Sequence, residues 1–164
     1  MKTGILVFIL LFCFGCQKEK ETEQLQQAVN ESATANTGQL PQLSDDQYVA
    51  IYEAQELIKI SQDDITLREE YCQRSWLSQQ HVFISMGIGR LRNPLNGQPV
   101  PQHMAERAAL MDARRWAAYG ESWLNNNFHP PFGQLEKYVN HSNQVINRSI
   151  VGDSLFLFLA TTLD

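Results

Sequence analysis

Two pairs of residues in this sequence have side chains of the types used in catalysis or metal binding. His103 and Glu106 stand three positions apart in a segment of helical character, a spacing at which two side chains can hold one metal ion. No second histidine follows at the spacing that such a site needs, and the remaining histidines are scattered: His81, His129 and His141. The sequence therefore predicts surface polar residues near a helix start and no metal.

Asp112 and Glu121 form the second pair. They lie nine positions apart on the same predicted helix, so they are not paired for acid–base work. We expect a structural role for Asp112, either an ion pair with Arg115 or the capping of a loop. No serine stands in a GxSxG elbow, and the segment GIGRLR lacks the third glycine of a dinucleotide fingerprint. The sequence therefore predicts no catalytic residue and no cofactor.

Cys72 and the tryptophans are the other side chains with chemical potential. Cys72 is the one cysteine that follows the leader, so no partner within the domain is present for a disulfide, and we expect a small buried thiol. The tryptophans could line a groove for a small hydrophobic ligand, although core packing is the simpler explanation; they are Trp76, Trp116 and Trp123.

The start of the chain, up to Cys16, has the layout of a signal peptide. Lys2 supplies a positive charge, an unbroken apolar run follows at positions 5–14, and Gly15 precedes Cys16. Gly15 and Cys16 resemble the end of a bacterial lipoprotein signal, in which the cysteine thiol receives a lipid and the chain is cut before it. Cys13 and Phe14 depart from the usual residues of that motif. The sequence predicts a lipoprotein signal peptide over residues 1–15 and a lipid attached to Cys16; a plain signal peptide or an uncleaved anchor is the alternative.

Residues 16–42 are predicted to be the lipidated cysteine and a flexible tether. The segment is rich in Gln, Glu, Thr, Ser and Asn and has no aromatic residue, so it has little apolar surface to bury. Gln17 follows the cysteine. In the lipoproteins that this leader resembles, Asp directly after the cysteine retains the protein in the inner membrane, and other residues at that position lead to the outer membrane. We therefore expect an outer-membrane anchor with the domain in the periplasm, or alternatively at the cell surface. The formal charge of −5 argues against a nucleic-acid partner.

Residues 43–164 are predicted to form an α+β domain, in which a small antiparallel sheet packs against one long Ala-rich helix and N-terminal helices precede both. Ser44, Asp45 and Asp46 are typical of a helix start, and Ser61 with Asp63 and Asp64 indicates a second helix to about Trp76. A single bent helix is the alternative. Residues 81–91 alternate as a strand whose glycines admit a close neighbour, and the long helix follows at 103–126. Its stripe around Ala105, Ala109 and Trp116 is widened by three flanking residues: Met104, Ala108 and Met111.

The last strand, SLFLFLATTL, is apolar on both faces. Leu155, Leu157 and Leu159 point one way and Phe156, Phe158 and Ala160 the other. A strand of this kind is either buried on both faces or presents one face to a partner. The N-terminal helices could cover the second face, or the strand could mediate self-association.

The segment from the GIG strand through the Ala-rich helix resembles the LPP20-like lipoprotein family, which pairs a strand ending in GxG with a helix of the type AxRAAxxDAxRxLA. The matching positions are Ala105, Arg107, Ala108, Ala109, Asp112, Ala113 and Arg115. The resemblance covers roughly residues 80–164. It implies an envelope lipoprotein with a helix packed on a small sheet, and it implies no catalytic residues and no cofactor.

These patterns together predict a cell-envelope lipoprotein with a non-catalytic structural or protein-interaction role. Its expected partners are membrane lipid, through acylated Cys16, and envelope proteins or a second copy of the chain. The alternative is a periplasmic module that binds a small hydrophobic ligand.

Overall fold

The computed structural model describes residues 40–135 and 142–163, so the leader, Cys16 and most of the predicted tether lie outside the described residues. The elements, in chain order, are helix α1 (Asp45–Ile60), helix α2 (Ile65–Ser75), strand β1 (Trp76–Leu77), strand β2 (Val82–Arg90), helix α3 (Gln102–Asn125), strand β3 (Asn143–Val151) and strand β4 (Ser154–Thr162). The fold is α+β, with a four-stranded antiparallel sheet and the long helix α3 packed against it. This confirms the predicted fold class.

The two N-terminal helices are separate and each has its own cap. Ser44 begins α1 with a capping box: its hydroxyl accepts from the Gln47 amide, and the Gln47 side chain accepts from the Ser44 amide at 2.8 Å. Asp64, and not Ser61, caps α2, since its carboxylate accepts from the Thr66 amide at 2.8 Å. Ser61 instead ends α1, and α2 stops at Ser75. The predicted second start was therefore too early in the chain, and the two helices are not one bent helix.

The sheet places the last strand at its centre. The strand order is β1-β2-β4-β3, with β4 paired antiparallel to both β2 and β3. The very short strand β1, which the sequence did not predict, pairs only with Phe83 and Val82. Most of the edge of β2 that faces away from β4 therefore has no neighbouring strand in the described sheet.

Helix α3 lies unusually close to β2 because β2 has glycines where the two meet. A Cβ atom built on Gly87 would stand 1.9 Å from the Ala109 carbonyl oxygen, and one on Gly89 would stand 1.9 Å from that of Ala105. Only glycine leaves room for a helix backbone at this distance. The small residues of the helix stripe and the glycines of the strand were thus correctly predicted to allow a close approach.

The opposite face of the sheet is covered by α1. The Tyr48 ring packs on Phe158 with centroids 4.5 Å apart, and the Tyr52 ring meets Phe156 edge-on at 5.7 Å. The leucines of β4 face α3 in a second cluster with Ala109 and Ala113. Of the two sequence-based explanations for this doubly apolar strand, burial beneath the N-terminal helices is the one observed. As the central strand, β4 has no free edge in the described sheet.

The apolar stripe of α3 is narrower than the sequence suggested. Ala105, Ala109, Ala113 and Trp116 are buried, but the flanking positions differ: Met104 is 55% exposed, Met111 is 49% exposed and Ala108 is exposed. The prediction that these three widen the core-facing stripe was wrong. Because the helix backbone sits directly on the glycines of β2, its flanks turn away from the sheet and leave the two methionines at the surface.

Candidate functional residues and the buried aromatic centre

Glu106 takes part in surface contacts and does not meet His103 in a site. Its carboxylate accepts from the Arg148 guanidinium of β3 at 3.0 Å and from the Gln102 side chain at 2.9 Å. His103 is exposed on the first turn of α3. Within residues 40–135 and 142–163, no three His, Cys, Asp or Glu side chains are grouped closely enough to hold a metal ion. Glu106 thus links α3 to the outer strand of the sheet.

Asp112 caps the open edge of β2. Its carboxylate accepts from the Ile88 amide at 3.2 Å, and a little earlier on the same strand the side-chain amide of Gln55 on α1 donates to the Met86 carbonyl at 3.1 Å. Two helices on opposite faces thus satisfy backbone groups that a neighbouring strand would otherwise pair. The structural role predicted for Asp112 is observed, although its partner is a strand amide and neither Arg115 nor a loop. Glu121 lies on the other side of α3, since nine residues at 100° each amount to about 180°.

Gln55 was missed by the sequence interpretation, although a signal was present. It stands within the stripe formed by Ile51, Ala54 and Ile58, all of which are buried. A polar residue in an apolar helix stripe must find a buried partner, and Gln55, itself fully buried, finds one in the β2 backbone.

We expect Asp112→Ala to lower the free energy of unfolding by about 1–2 kcal/mol, because the Ile88 amide loses a charged acceptor. Asp112→Asn retains an acceptor oxygen and should cost less. Urea denaturation of both variants measures the difference, with Asp153→Ala, which removes an exposed ion pair to Arg92, as the control. Equal stability of Asp112→Ala and the wild type would contradict the edge-capping role.

Two of the three tryptophans belong to the core. Trp116 and Trp123 are fully buried and pack edge-to-face on Tyr71, whose ring also meets Phe83. Phe132 stacks on Trp116 with centroids 4.3 Å apart. Trp76, in β1, is partly buried: it packs against the same core cluster, and its ring meets His81 edge-on. Because Trp116 and Trp123 are enclosed by other core side chains, the hypothesis of a ligand groove built on the tryptophans is weakened.

The chain after α3 folds back onto this aromatic centre. The Trp123 indole donates to the Pro130 carbonyl at 2.6 Å, and the Tyr119 hydroxyl accepts from the amides of Gly133 and Leu135 at 2.6 and 3.0 Å. Residues 126–135 are thus held against α3 by side chains of the helix itself. The sequence predicted that the prolines stop the helix but gave no sign of this return.

Arg68 is a buried cation held by backbone carbonyls. The residue is only 1% exposed. Its guanidinium donates to the carbonyl oxygens of Asp63, Asp64 and Phe128 at 2.9, 3.2 and 2.6 Å. Burial lowers the pKa of the guanidinium, and the carboxylates of Asp63 and Asp64 partly oppose that shift. The side chain therefore joins the start of α2 to the loop after α3, two segments that are far apart in the sequence.

Cys72 is a free thiol enclosed by the core, as the sequence predicted. It is 2% exposed. Burial raises the pKa of its thiol from 9.0 to about 12, with a smaller contribution from Glu69. Burial also raises the pKa of the neighbouring Tyr71 hydroxyl well above its usual value, and Cys72 adds to that shift. The Ser75 hydroxyl opposes the shift, although it does not reach full hydrogen-bond geometry with the Tyr71 hydroxyl. A thiol that stays protonated and enclosed is a poor nucleophile and metal ligand.

The pKa of Cys72 predicts a loss of stability at high pH. Above pH 9 the unfolded thiol ionises while the native one keeps its proton until about pH 12, so the unfolded state binds fewer protons and the free energy of unfolding falls. Between pH 9 and 10 the wild type should lose about 1 kcal/mol more than Cys72→Ala. Urea denaturation of both chains at pH 8, 9 and 10 measures this. Parallel pH profiles would show that the native thiol ionises as readily as the unfolded one.

Comparison with protein-family models, with curated proteins and with solved structures found no match. The resemblance to the LPP20-like lipoprotein family therefore stays a prediction. Among the helices in the described part of the chain, none is long and apolar enough to cross a membrane.

Proposed function

We propose that this protein is a bacterial cell-envelope lipoprotein, anchored through a lipid on Cys16, whose domain has a non-catalytic structural or protein-interaction role. The observation that carries the proposal is the leader: a basic start, the apolar run at 5–14, and Gly15 before Cys16, followed at once by the polar segment QKEKETEQ. A hydrophilic stretch suits a domain held off a bilayer by its N-terminal lipid. The resemblance to the LPP20-like family agrees with it.

The described side chains support the non-catalytic part of the proposal. Asp112 caps a strand edge, Glu106 pairs with Arg148 and Gln102, and Cys72 is enclosed with a raised pKa. These acidic and thiol groups, singled out in the sequence, are thus engaged in holding the fold.

The physics of lipid anchors explains how acylated Cys16 would hold the protein at a membrane. Each methylene group of an acyl chain that is buried in the bilayer contributes about 0.8 kcal/mol. One acyl chain binds a membrane only marginally, so Cys16 would be stably attached if it carried two or more acyl chains. Gln17 favours the outer membrane, with the domain in the periplasm.

The anchor is tested by intact mass of the membrane-extracted protein beside a Cys16→Ala variant. We expect a mature chain that begins at Cys16 and carries the mass of its acyl groups, and an unprocessed, unacylated chain for the variant. An unmodified wild-type chain in the soluble fraction would overturn the proposal.

The interaction role is tested separately. The anchored full chain is cross-linked in intact cells and its partners are identified by mass spectrometry, with an unrelated lipoprotein of similar abundance as the control. A reproducible envelope partner supports the role, and partners identical to those of the control contradict it.

A further inference from the structure

Charge is unevenly divided between the two outer layers of the fold. Residues 43–75, which include α1 and α2, carry eight acidic and three basic side chains. The described residues from 76 onward carry six arginines and only four acids. Helix α1, with four acids and one lysine, forms an acidic layer on one face of the sheet, whereas α3 on the other face carries three acids and three arginines.

The arginines of α3 are concentrated in a distinct stripe along its outward face, here called the α3 stripe. Its members are all exposed and recur at helical spacing: Met104, Arg107, Ala108, Met111, Arg114 and Arg115. They span about 16 Å of helix. The stripe combines three cations with two flexible apolar side chains that are about half exposed. It contains no acid.

The two acids of α3 that lie between Met104 and Arg115 in the sequence do not neutralise this stripe. Glu106 points to β3, where it pairs with Arg148, and Asp112 points to the open edge of β2.

The cations of the stripe have no acidic partner among the residues that the structure describes. Arg107 makes no hydrogen bond or ion pair with any residue that the structure describes. Arg114 donates to the Asn143 side chain at 3.2 Å, and Arg115 lies over the Phe132 ring at 4.9 Å.

We propose that the α3 stripe docks on a bilayer surface that carries anionic lipid headgroups. The proposal rests on the lipoprotein function proposed above, which puts the domain beside a membrane. A helix lying flat, with cations along its exposed face and apolar side chains among them, is suited to the headgroup region of a bilayer. The acidic layer formed by α1 lies on the opposite face of the sheet and then faces away from the membrane, so the net negative charge of the chain does not prevent docking in this one orientation.

The length of chain before the domain is compatible with docking. Only the segment 17–39 separates Cys16 from Leu40. A random coil of this length would average about 25–30 Å from end to end. A domain of about 120 residues has a radius of gyration of about 14 Å. A lipid on Cys16 would therefore keep the domain within about its own diameter of the bilayer.

A second copy of the chain is the competing occupant, since its acidic layer would also complement the stripe. Such a contact joins two different surfaces and would build open chains of molecules unless it closed into a ring.

The test measures co-flotation of residues 16–164, with Cys16→Ala so that no lipid is attached, on vesicles of phosphatidylcholine alone or with one third phosphatidylglycerol. This chain keeps every element of the described core. We expect binding to the anionic vesicles at low salt, much weaker binding at high salt, and none to phosphatidylcholine. Arg107→Glu should lower the binding constant for anionic vesicles about thirtyfold, because each cation near such a surface contributes about 1 kcal/mol and a charge reversal counts twice.

Arg74→Glu is the matched control. It makes the same charge change at an exposed position on α2, where Arg74 contacts α1, and should change binding by less than about twofold. Thermal unfolding confirms that Arg107→Glu is folded, as expected for a substitution of an exposed side chain. Equal effects of the two substitutions, or no binding of the parent chain to anionic vesicles, would overturn the proposal. Self-association without vesicles that Arg107→Glu abolishes would also overturn it, in favour of a second copy.

The outcome is independent of the anchor. The chain used is unlipidated, so a failure of Cys16 acylation in cells leaves the vesicle result unchanged. Conversely, an acylated Cys16 together with no vesicle binding removes the docking surface and leaves the proposed function intact.

Discussion

Gly87→Ala should lower the free energy of unfolding by at least about 3 kcal/mol, because the added methyl group has no space to occupy. The new Cβ would stand 1.9 Å from the Ala109 carbonyl oxygen and 2.5 Å from the Ala113 amide nitrogen. Both atoms belong to the backbone of α3, so no side-chain rotation relieves the contact. Overpacking against side chains that can move costs about 1–3 kcal/mol. The loss for Gly87→Ala should be at the upper end of that range or above it, because the whole of helix α3 must shift. Small domains are stable by about 5–15 kcal/mol in total.

Gly97→Ala is the control for this experiment. Gly97 has a φ of +68° in the loop after β2, and a Cβ there would meet nothing within 4 Å. Alanine at that position should therefore cost about 1 kcal/mol, from backbone strain alone. Urea denaturation of both variants separates the two effects. A loss for Gly87→Ala no larger than that for Gly97→Ala would show that α3 does not lie directly on β2.

Arg68→Ala should lower the free energy of unfolding by about 3–4 kcal/mol, although it removes no direct ion pair, because two backbone carbonyls would lose a charged donor. The carbonyls of Asp63 and Phe128 would lose the guanidinium of the buried Arg68, whereas the carbonyl of Asp64 would keep the backbone amide of residue 68 as a donor. Hydrogen bonds to charged groups contribute about 1.5–3 kcal/mol each, and a buried acceptor left unpaired adds its own penalty. Arg68→Lys keeps the charge but has a single nitrogen to serve carbonyls from two separate segments, so its loss should be intermediate.

Arg74→Ala is the matched control for Arg68, since it lies on the same helix with 43% of its side chain exposed and a 3.8 Å ion pair to Glu70. It should cost less than about 0.5 kcal/mol. Thermal unfolding and urea denaturation measure all three variants. If Arg68→Ala behaved like Arg74→Ala, the guanidinium would not be joining α2 to the loop after α3.

Local patterns in the sequence were enough for the main elements. Ser44 with two acids predicted the start of α1, and the doubly apolar β4 raised burial on both faces as one of its two explanations. The glycines of β2 predicted a close neighbour, because a missing side chain in a strand has few other uses. These signals act over short stretches of chain, which is why they can be recognised without knowing the fold.

The errors have a different origin. Arg68 resembles any surface arginine in the sequence, because the carbonyls that enclose it come together only after distant parts of the chain have met. Met104 and Met111 fit an apolar helix stripe, but the width of that stripe depends on how closely α3 approaches the sheet. Strand β1 is only two residues long and has no pattern to detect. Long-range geometry decides each of these cases.

The central position of β4 has a consequence for the order in which the chain can fold. Strands β2 and β3 do not pair with each other; each pairs with β4, which comes after both in the chain. Tyr48 of α1 likewise finds its place on Phe158, near the other end of the domain. A chain delivered from its N-terminus, whether by a ribosome or by an export channel, therefore cannot assemble this sheet until residues 154–162 arrive. A sheet that depends on such late, long-range pairing forms slowly, so the chain stays unfolded during its delivery. A protein must stay unfolded in this way if it is to cross a membrane as an extended chain.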